Sequence, residues 1–134
     1  MKKKIPRSDC PISYALDFLG DKWSLLVIRD LVFEGKRFYK DFLNSKEGIA
    51  TNVLSDRLKK LENTGLITSK VYEQLKTQKE YSLTEKGKDL IPILIEIILW
   101  SAKHEQGLAV SEEFIVSANQ NKEQVIQNIK DRLA

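Results

Sequence analysis

One thiol and one imidazole, those of Cys10 and His104, are present in this sequence. The two lie far apart in the chain, so the sequence does not indicate a nucleophile–base pair or a shared metal site. It also contains no glycine-rich phosphate loop and no cluster of metal-ligand residues. We therefore predict no catalytic residues, no metal and no cofactor. Among the function classes considered, an enzyme comes last.

Cys10 is the one residue with redox chemistry open to it. It precedes Pro11 at the start of an apolar-periodic stretch, which is the N-cap position of a predicted helix. The field of a helix N-terminus favours a thiolate, and Lys4 and Arg7 would add to that effect if the chain before the helix folds nearby. Cys10 is thus a candidate sensor of an oxidant or electrophile. The alternative is an inert thiol buried in the core.

A second group of side chains suits recognition rather than catalysis. Val53, Leu54, Leu58 and Leu61 form one apolar stripe of a predicted amphipathic helix. The opposite face of that helix is polar and carries Thr51, Asn52, Ser55, Asp56, Lys59 and Lys60, with Arg57 toward its edge. Asparagine and hydroxyl side chains can read base edges in the major groove, and lysine suits phosphate or guanine. A solvated surface helix would present much the same face, and this alternative stays open.

The elements that position these residues follow from the pattern of apolar residues and breakers. A first helix begins at Pro11 and ends at Gly20, and a second, apolar nearly all round, runs from about Lys22 to Val32 with Asp21 as N-cap. Arg37-Phe38 is a very short strand candidate, and Tyr39 to Leu43 a short helix. The amphipathic helix then ends at Gly65.

Two strand candidates follow, Ile67 to Tyr72 and Glu80 to Leu83, joined by a polar linker as in a β-hairpin. A long helix capped by Thr84 is predicted to run to about Glu105, with a kink at Pro92. Asn121 to Leu133 reads as a last amphipathic helix. This order predicts a mainly α fold with a small β-hairpin: a winged helix-turn-helix, in which the hairpin is the wing.

Length and composition are those of one soluble domain. The chain has 134 residues and a formal net charge of +3, a mildly basic balance that suits a nucleic-acid partner without establishing one. A single cysteine fits a reducing cytoplasm, and no segment reads as a signal peptide or a membrane span. We divide the chain into a flexible basic arm (1–9), a DNA-binding and dimerisation domain (10–106) and a C-terminal helical extension (107–134).

Several short blocks occur in an order that is itself informative: Cys10-Pro11, Gly20-Asp21-Lys22-Trp23, Leu25-Leu26-Val27-Ile28, Lys36-Arg37-Phe38, Gly48-Ile49-Ala50, Leu54 to Glu62, Gly65-Leu66-Ile67 and Tyr81 to Gly87. Together they resemble the HxlR-type winged-helix regulators of bacteria and archaea, over roughly Cys10 to Trp100. The resemblance implies a transcriptional regulator that binds a double-stranded DNA operator. It does not cover the tail after Gly107.

The resemblance also implies roles for single residues. Lys22 looks like a phosphate contact, although a solvated lysine is an equal alternative. Arg37 lies beside the helix-turn-helix and is a further phosphate candidate, as are Lys76 and Lys79 on the wing. Where the family often has serine at the recognition-helix start, this chain has Ala50, a poor cap, so that Thr51 is a candidate cap instead.

A homodimer is expected from apolar residues on the first and the long helix: Ile12, Leu16, Ile91, Leu94, Ile95, Ile98, Leu99 and Trp100. Two-fold symmetry then calls for a pseudo-palindromic operator. The effector class is an oxidant, an electrophile or a small molecule. The alternative function is a winged helix used as a protein-interaction module without DNA. The polar face argues for DNA, because a protein-binding face would expose more apolar or aromatic residues.

Overall fold

The computed structural model describes residues 7–75 and 77–133. Residues 1–6 of the predicted basic arm and Lys76 of the predicted wing lie outside the described residues. The chain forms two compact units, Met1–Thr84 and Glu85–Ala134. The division at residues 106 and 107 that we drew from the sequence stays a prediction.

The first unit begins with helix α1, Pro11–Leu19. Proline occupies the first turn, where its missing N–H has no intrahelical partner to lose. The Gly20 amide donates to the Leu16 carbonyl at 2.8 Å and closes the helix. Both ends of this helix are as the sequence predicted.

Helix α2, Ser24–Phe33, carries much of the core of this unit through Val27, Ile28, Leu31 and Val32, which are all buried. It begins two residues after the predicted start, because the chain first makes a turn at residues 21–23. The side chain of Asp21 nevertheless does the work of a cap, since it accepts hydrogen bonds from the Trp23 and Ser24 amides.

Helix α3, Tyr39–Leu43, and helix α4, Thr51–Asn63, form the helix-turn-helix. The inner face of α4 is Leu54, Leu58 and Leu61, none of them more than 2% exposed. Ala50 is the N-cap residue and Thr51 is the first helical residue, so the suggestion that Thr51 replaces Ala50 as cap is wrong. Gly65 follows the helix at φ +82°, a conformation that favours glycine.

The wing is an antiparallel hairpin of β1, Ile67–Val71, and β2, Lys79–Leu83, with Ile67 paired to Leu83. The predicted short strand is reduced to one isolated bridge, between Phe38 and Glu80. Ile67 and Leu83 are buried, so the base of the hairpin belongs to the core while its tip reaches into solvent.

The second unit contains α5 (Glu85–Lys88), α6 (Ile91–His104), α7 (Glu112–Gln120) and α8 (Lys122–Leu133). The prediction of one long, kinked helix is wrong, because the chain turns at residues 89–90 and α6 starts afresh with Pro92 in its first turn. Helix α7 was not predicted, although Ser111 caps it by accepting from the Phe114 amide at 3.0 Å. Among the described residues, no helix is long and apolar enough to cross a membrane.

Candidate nucleic-acid interface

The outer face of α4 is a row of exposed polar side chains. Thr51, Asn52, Ser55, Asp56 and Lys59 are exposed, and Lys60 is half-buried. Three buried leucines hold the inner face, and they set which side of the helix faces outward. The exposed row therefore has one defined direction, as a surface that reads another molecule needs.

Tyr39 ties the start of this row to α3. Its hydroxyl donates to the Thr51 carbonyl at 2.9 Å and accepts from the Ser55 hydroxyl at 3.1 Å. A serine hydroxyl has one proton and two lone pairs. With its proton directed at Tyr39, Ser55 offers its lone pairs outward and acts toward solvent as an acceptor.

Arg57 does not lie free on the outer face. Its Nε donates to Asp21 Oδ2 at 2.7 Å, and its Nη1 contacts Asp56. Burial opposes ionisation of Asp21, but hydrogen bonds from Ser24, Arg57 and two backbone amides outweigh it and hold the pKa of this carboxyl far below its usual range. The same bond to Asp21 raises the pKa of Arg57. This arginine is engaged within the protein.

The carboxylate of Asp30, which the sequence analysis missed, is buried and binds the turn between α3 and α4. Asp30 on α2 is 2% exposed, accepts from the Ser45 hydroxyl and from Arg29, and lies 3.5 Å from Lys36 Nζ. The neighbouring ion pair joins Arg29 to Glu47 in the same turn, with N–O distances of 2.7 and 3.0 Å. Two adjacent residues of α2 thus hold two points of the turn that sets the angle between α3 and α4.

The pair of Arg29 and Glu47 is reflected in the acidity of the glutamate. The hydrogen bonds from Arg29 lower the pKa of Glu47 from 4.5 to about 2. No periodicity predicted this network. The available signal was a charged pair, Arg29-Asp30, inside a mainly apolar helix. Charged side chains that are buried with such a helix need partners of opposite charge.

The remaining basic residues expected at DNA occupy different settings. Lys22 is exposed, with Nζ 5.1 Å from the ring centre of Trp23. Arg37 is half-buried beside the wing, where its carbonyl accepts from the Tyr81 amide. Lys79 is exposed at the start of β2. Lys76 lies outside the described residues.

Cys10 is exposed at the N-cap of α1, and its side chain makes no capping hydrogen bond. The buried-thiol alternative is therefore wrong for the single chain. Arg7, expected to add positive charge here, instead contacts Asp17 at 3.3 Å and the Ser13 carbonyl at 3.4 Å. Lys4 lies outside the described residues.

The residues expected at the dimer interface fall into three groups. Ile12, Leu16 and Trp100 are exposed, by 72%, 51% and 68%. Ile98 and Leu99 are half-buried.

The third group is buried within the chain itself: Ile91, Leu94 and Ile95. These three serve the core, so a partner could not reach them on this surface. Ile93 and Ile97, which the sequence analysis did not select, are exposed and form one row with Trp100. Their i, i+4, i+7 spacing was the available signal.

The chain has the elements of a winged helix-turn-helix protein. They are a short helix, a turn, an amphipathic helix with an exposed polar face, and a hairpin directly after it. The model of the HxlR-like helix-turn-helix family matches residues 18–108. The chain belongs to this family of helix-turn-helix transcriptional regulators.

Relatives and solved structures agree. An uncharacterized HTH-type transcriptional regulator of Synechocystis sp. is 42% identical over 86 residues, which are 64% of this chain and 63% of that protein. The structure of PA1607, described as a candidate transcription factor, is similar with a TM-score of 0.69 and 35% identity, over 79% of this chain and 72% of the other. The oxidized form of the redox regulator HypR matches with a TM-score of 0.63 and 32% identity, over 72% and 99%.

Proposed function

We propose that this protein binds a pseudo-palindromic DNA operator as a homodimer and regulates the transcription that starts there. The observation that carries the proposal is the exposed polar row of α4, set opposite its buried leucines. In a winged helix-turn-helix this helix enters the major groove. We expect the protein to act in the cytoplasm, where the chromosome of a bacterium or archaeon lies.

Three exposed residues of the row have side chains that suit DNA: Asn52, Ser55 and Lys59. Asn52 offers both a donor and an acceptor to adenine, and Ser55 accepts from an amino group of adenine or cytosine. Lys59 pairs with phosphate or guanine. Lys22 and Lys79, both exposed, and Arg37 contact the phosphate backbone on either side and fix the register.

The proposed dimer covers the apolar side chains that the single chain leaves in solvent. On α1 these are Ile12 and Leu16, and on α6 they are Ile93, Ile97 and Trp100. Large apolar side chains clustered on one helix face are typical of an interaction surface. A two-fold dimer presents two copies of α4, spaced by about one DNA turn or a multiple of it.

Cys10 is the proposed sensor of an oxidant or electrophile. Its thiol is exposed at a helix start, and HypR, to which the chain is similar, is a redox regulator. The Cys10 thiolate attacks one oxygen of a peroxide, so that an S–O bond forms and the O–O bond breaks. The sulfur is thereby oxidised to sulfenic acid, and the other oxygen leaves and is protonated to water. The added oxygen lies at α1, which belongs to the proposed dimer surface.

Lys59→Ala tests the DNA proposal in a mobility-shift titration at several salt concentrations. Each lost phosphate contact reduces the steepness of log affinity against log salt by about 0.9, so the loss of one contact per subunit should reduce it by about 1.8 in the dimer. Lys103→Ala, which removes an exposed lysine near the end of α6, is the matched control and should leave the slope unchanged. Absence of DNA binding by the unaltered protein, at low salt, would instead favour the protein-interaction module.

A further inference from the structure

The connection between α1 and α2 holds a carboxylate that three parts of the fold share. Asp21 Oδ2 accepts from the Trp23 amide at 2.9 Å, the Ser24 amide at 3.0 Å and Arg57 Nε at 2.7 Å. Asp21 Oδ1 accepts from the Ser24 hydroxyl at 2.6 Å. One side chain thus closes the N-terminus of α2 and grips the middle of α4.

The chain just before Asp21 is close-packed and requires glycine. Gly20 separates α1 from Asp21, and a Cβ on Gly20 would lie 2.4 Å from the Leu16 carbonyl oxygen, closer than atoms can approach. Ser24, which binds both oxygens of the carboxylate, is fully buried. Four hydrogen bonds, two of them from this buried serine, therefore hold the Asp21 carboxylate at the start of α2.

The rotation of α4 about its axis decides which side chains face DNA. An α-helix turns by about 100° per residue, so a rotation of even a fraction of that angle turns the outward side chains away from the base edges that they contact. Arg57 lies two residues after Ser55 and two before Lys59, so it is level with the exposed row along the helix axis but projects from another side of the helix. A charge-assisted bond at this residue restrains the rotation at the level of the row itself.

We propose that Asp21 and Arg57 form a positioning pair, which orients the recognition helix for base reading without either residue touching DNA. The inference rests on the proposed function. It assigns Arg57 a role other than the phosphate contact that an arginine on this helix suggests. Asp56 does not supply the same restraint, because it is a neighbour on α4 and ties Arg57 to nothing outside that helix.

The pair predicts a specific defect, in sequence preference rather than in attraction to DNA. Four proteins decide it: Asp21→Asn, Arg57→Gln, the double variant, and Glu34→Gln. The last makes the same change of charge as Asp21→Asn, at the exposed end of α2. The probes are a fragment that the unaltered protein selects from a random-sequence pool, and a random-sequence fragment of equal length.

We expect the ratio of affinities for the two fragments to fall about tenfold in each single variant, within the range for coupled neighbours. The double variant should lose no more than either single one, because both remove the same bond. The salt slope should stay that of the unaltered protein, since no phosphate contact is lost. Glu34→Gln should leave the ratio unchanged.

Two results overturn the inference. One is a salt slope that drops by about 1.8 in Arg57→Gln, one phosphate contact for each subunit of the dimer, while Asp21→Asn keeps the full ratio, which would make Arg57 a phosphate contact. The other is losses that add in the double variant. If circular dichroism shows that Asp21→Asn is unfolded, Arg57→Lys is used in its place. That variant keeps the charge but lacks the Nε donor that bonds Asp21, so it should lose the ratio, and full retention contradicts the pair.

An unaltered protein that binds both fragments equally, or neither, would instead contradict the proposed function. The two failures are therefore distinguishable in one set of titrations.

Discussion

Replacing Asp30 with asparagine tests whether the buried network fixes the turn of the helix-turn-helix. The carboxylate is 2% exposed, and it accepts from the Ser45 hydroxyl and from two nitrogens of Arg29. Lys36 Nζ lies 3.5 Å away. An amide keeps the shape and one acceptor oxygen, but it removes the negative charge that these groups face.

The expected loss follows from what remains after the substitution. Removing one partner of a buried ion pair costs about 3–5 kcal/mol, because the other charge stays buried and unpaired. Here Arg29 retains Glu47, and Lys36 retains a hydrogen bond to the Ser45 hydroxyl at 3.1 Å. We therefore expect the lower end, about 3 kcal/mol, which corresponds to a fall of roughly 10 °C in melting temperature for a chain of this size.

Urea unfolding followed by circular dichroism measures the change, with Glu34→Gln as a control for charge on the same helix. The control should stay within about 0.5 kcal/mol of the unaltered protein, as surface substitutions do. If Asp30→Asn also lost less than about 0.5 kcal/mol, the buried network would not fix the turn, because an amide would then stabilise the fold as well as the carboxylate does.

Three further predictions concern pH, assembly and oxidation. The pKa of Glu47 is about 2 in the folded protein against 4.5 ordinarily. Its bond to Arg29 therefore stabilises the fold fully above pH 4.5, and this stabilisation is lost as the pH falls toward 2. Over that pH range, Glu47→Gln should lose less of its free energy of unfolding than the unaltered protein does. Ile97→Glu with Trp100→Glu should convert a dimer to monomer by light scattering, and a monomeric unaltered protein would contradict the dimer. Peroxide should lower operator affinity in the unaltered protein and leave Cys10→Ser unaffected; full affinity with Cys10 oxidised by mass spectrometry argues against sensing.

The helices and the wing were readable because their causes are local. Proline at the start of α1, glycine after α4 and the leucine stripe of α4 act through neighbours in the chain, and each appears where the pattern predicted it. Pro92 shows the limit of such reading. It could kink a helix or begin one, and the turn at residues 89–90 decides for a beginning.

The candidate site was harder to predict because its important contacts join distant residues. Arg57 and Asp21 were each assigned a local role, as DNA contact and as helix cap, and only the fold brings them to 2.7 Å. Asp30 and Ser45, which are 15 residues apart, are also brought together only by the fold. Burial of Ile91 and Ile95 likewise depends on packing that helical periodicity does not show.

Hydroxyl-radical footprinting shows whether two copies of α4 bind one DNA fragment. The probe is a DNA fragment that the unaltered protein selects from a random-sequence pool. We expect two protected segments related by two-fold symmetry, with centres about one helical turn or a multiple apart, one for each copy of α4. We also expect that Lys59→Ala weakens protection at both segments. A single protected segment would contradict binding as a dimer. The absence of any protected segment at protein concentrations that saturate binding would contradict DNA recognition by this helix.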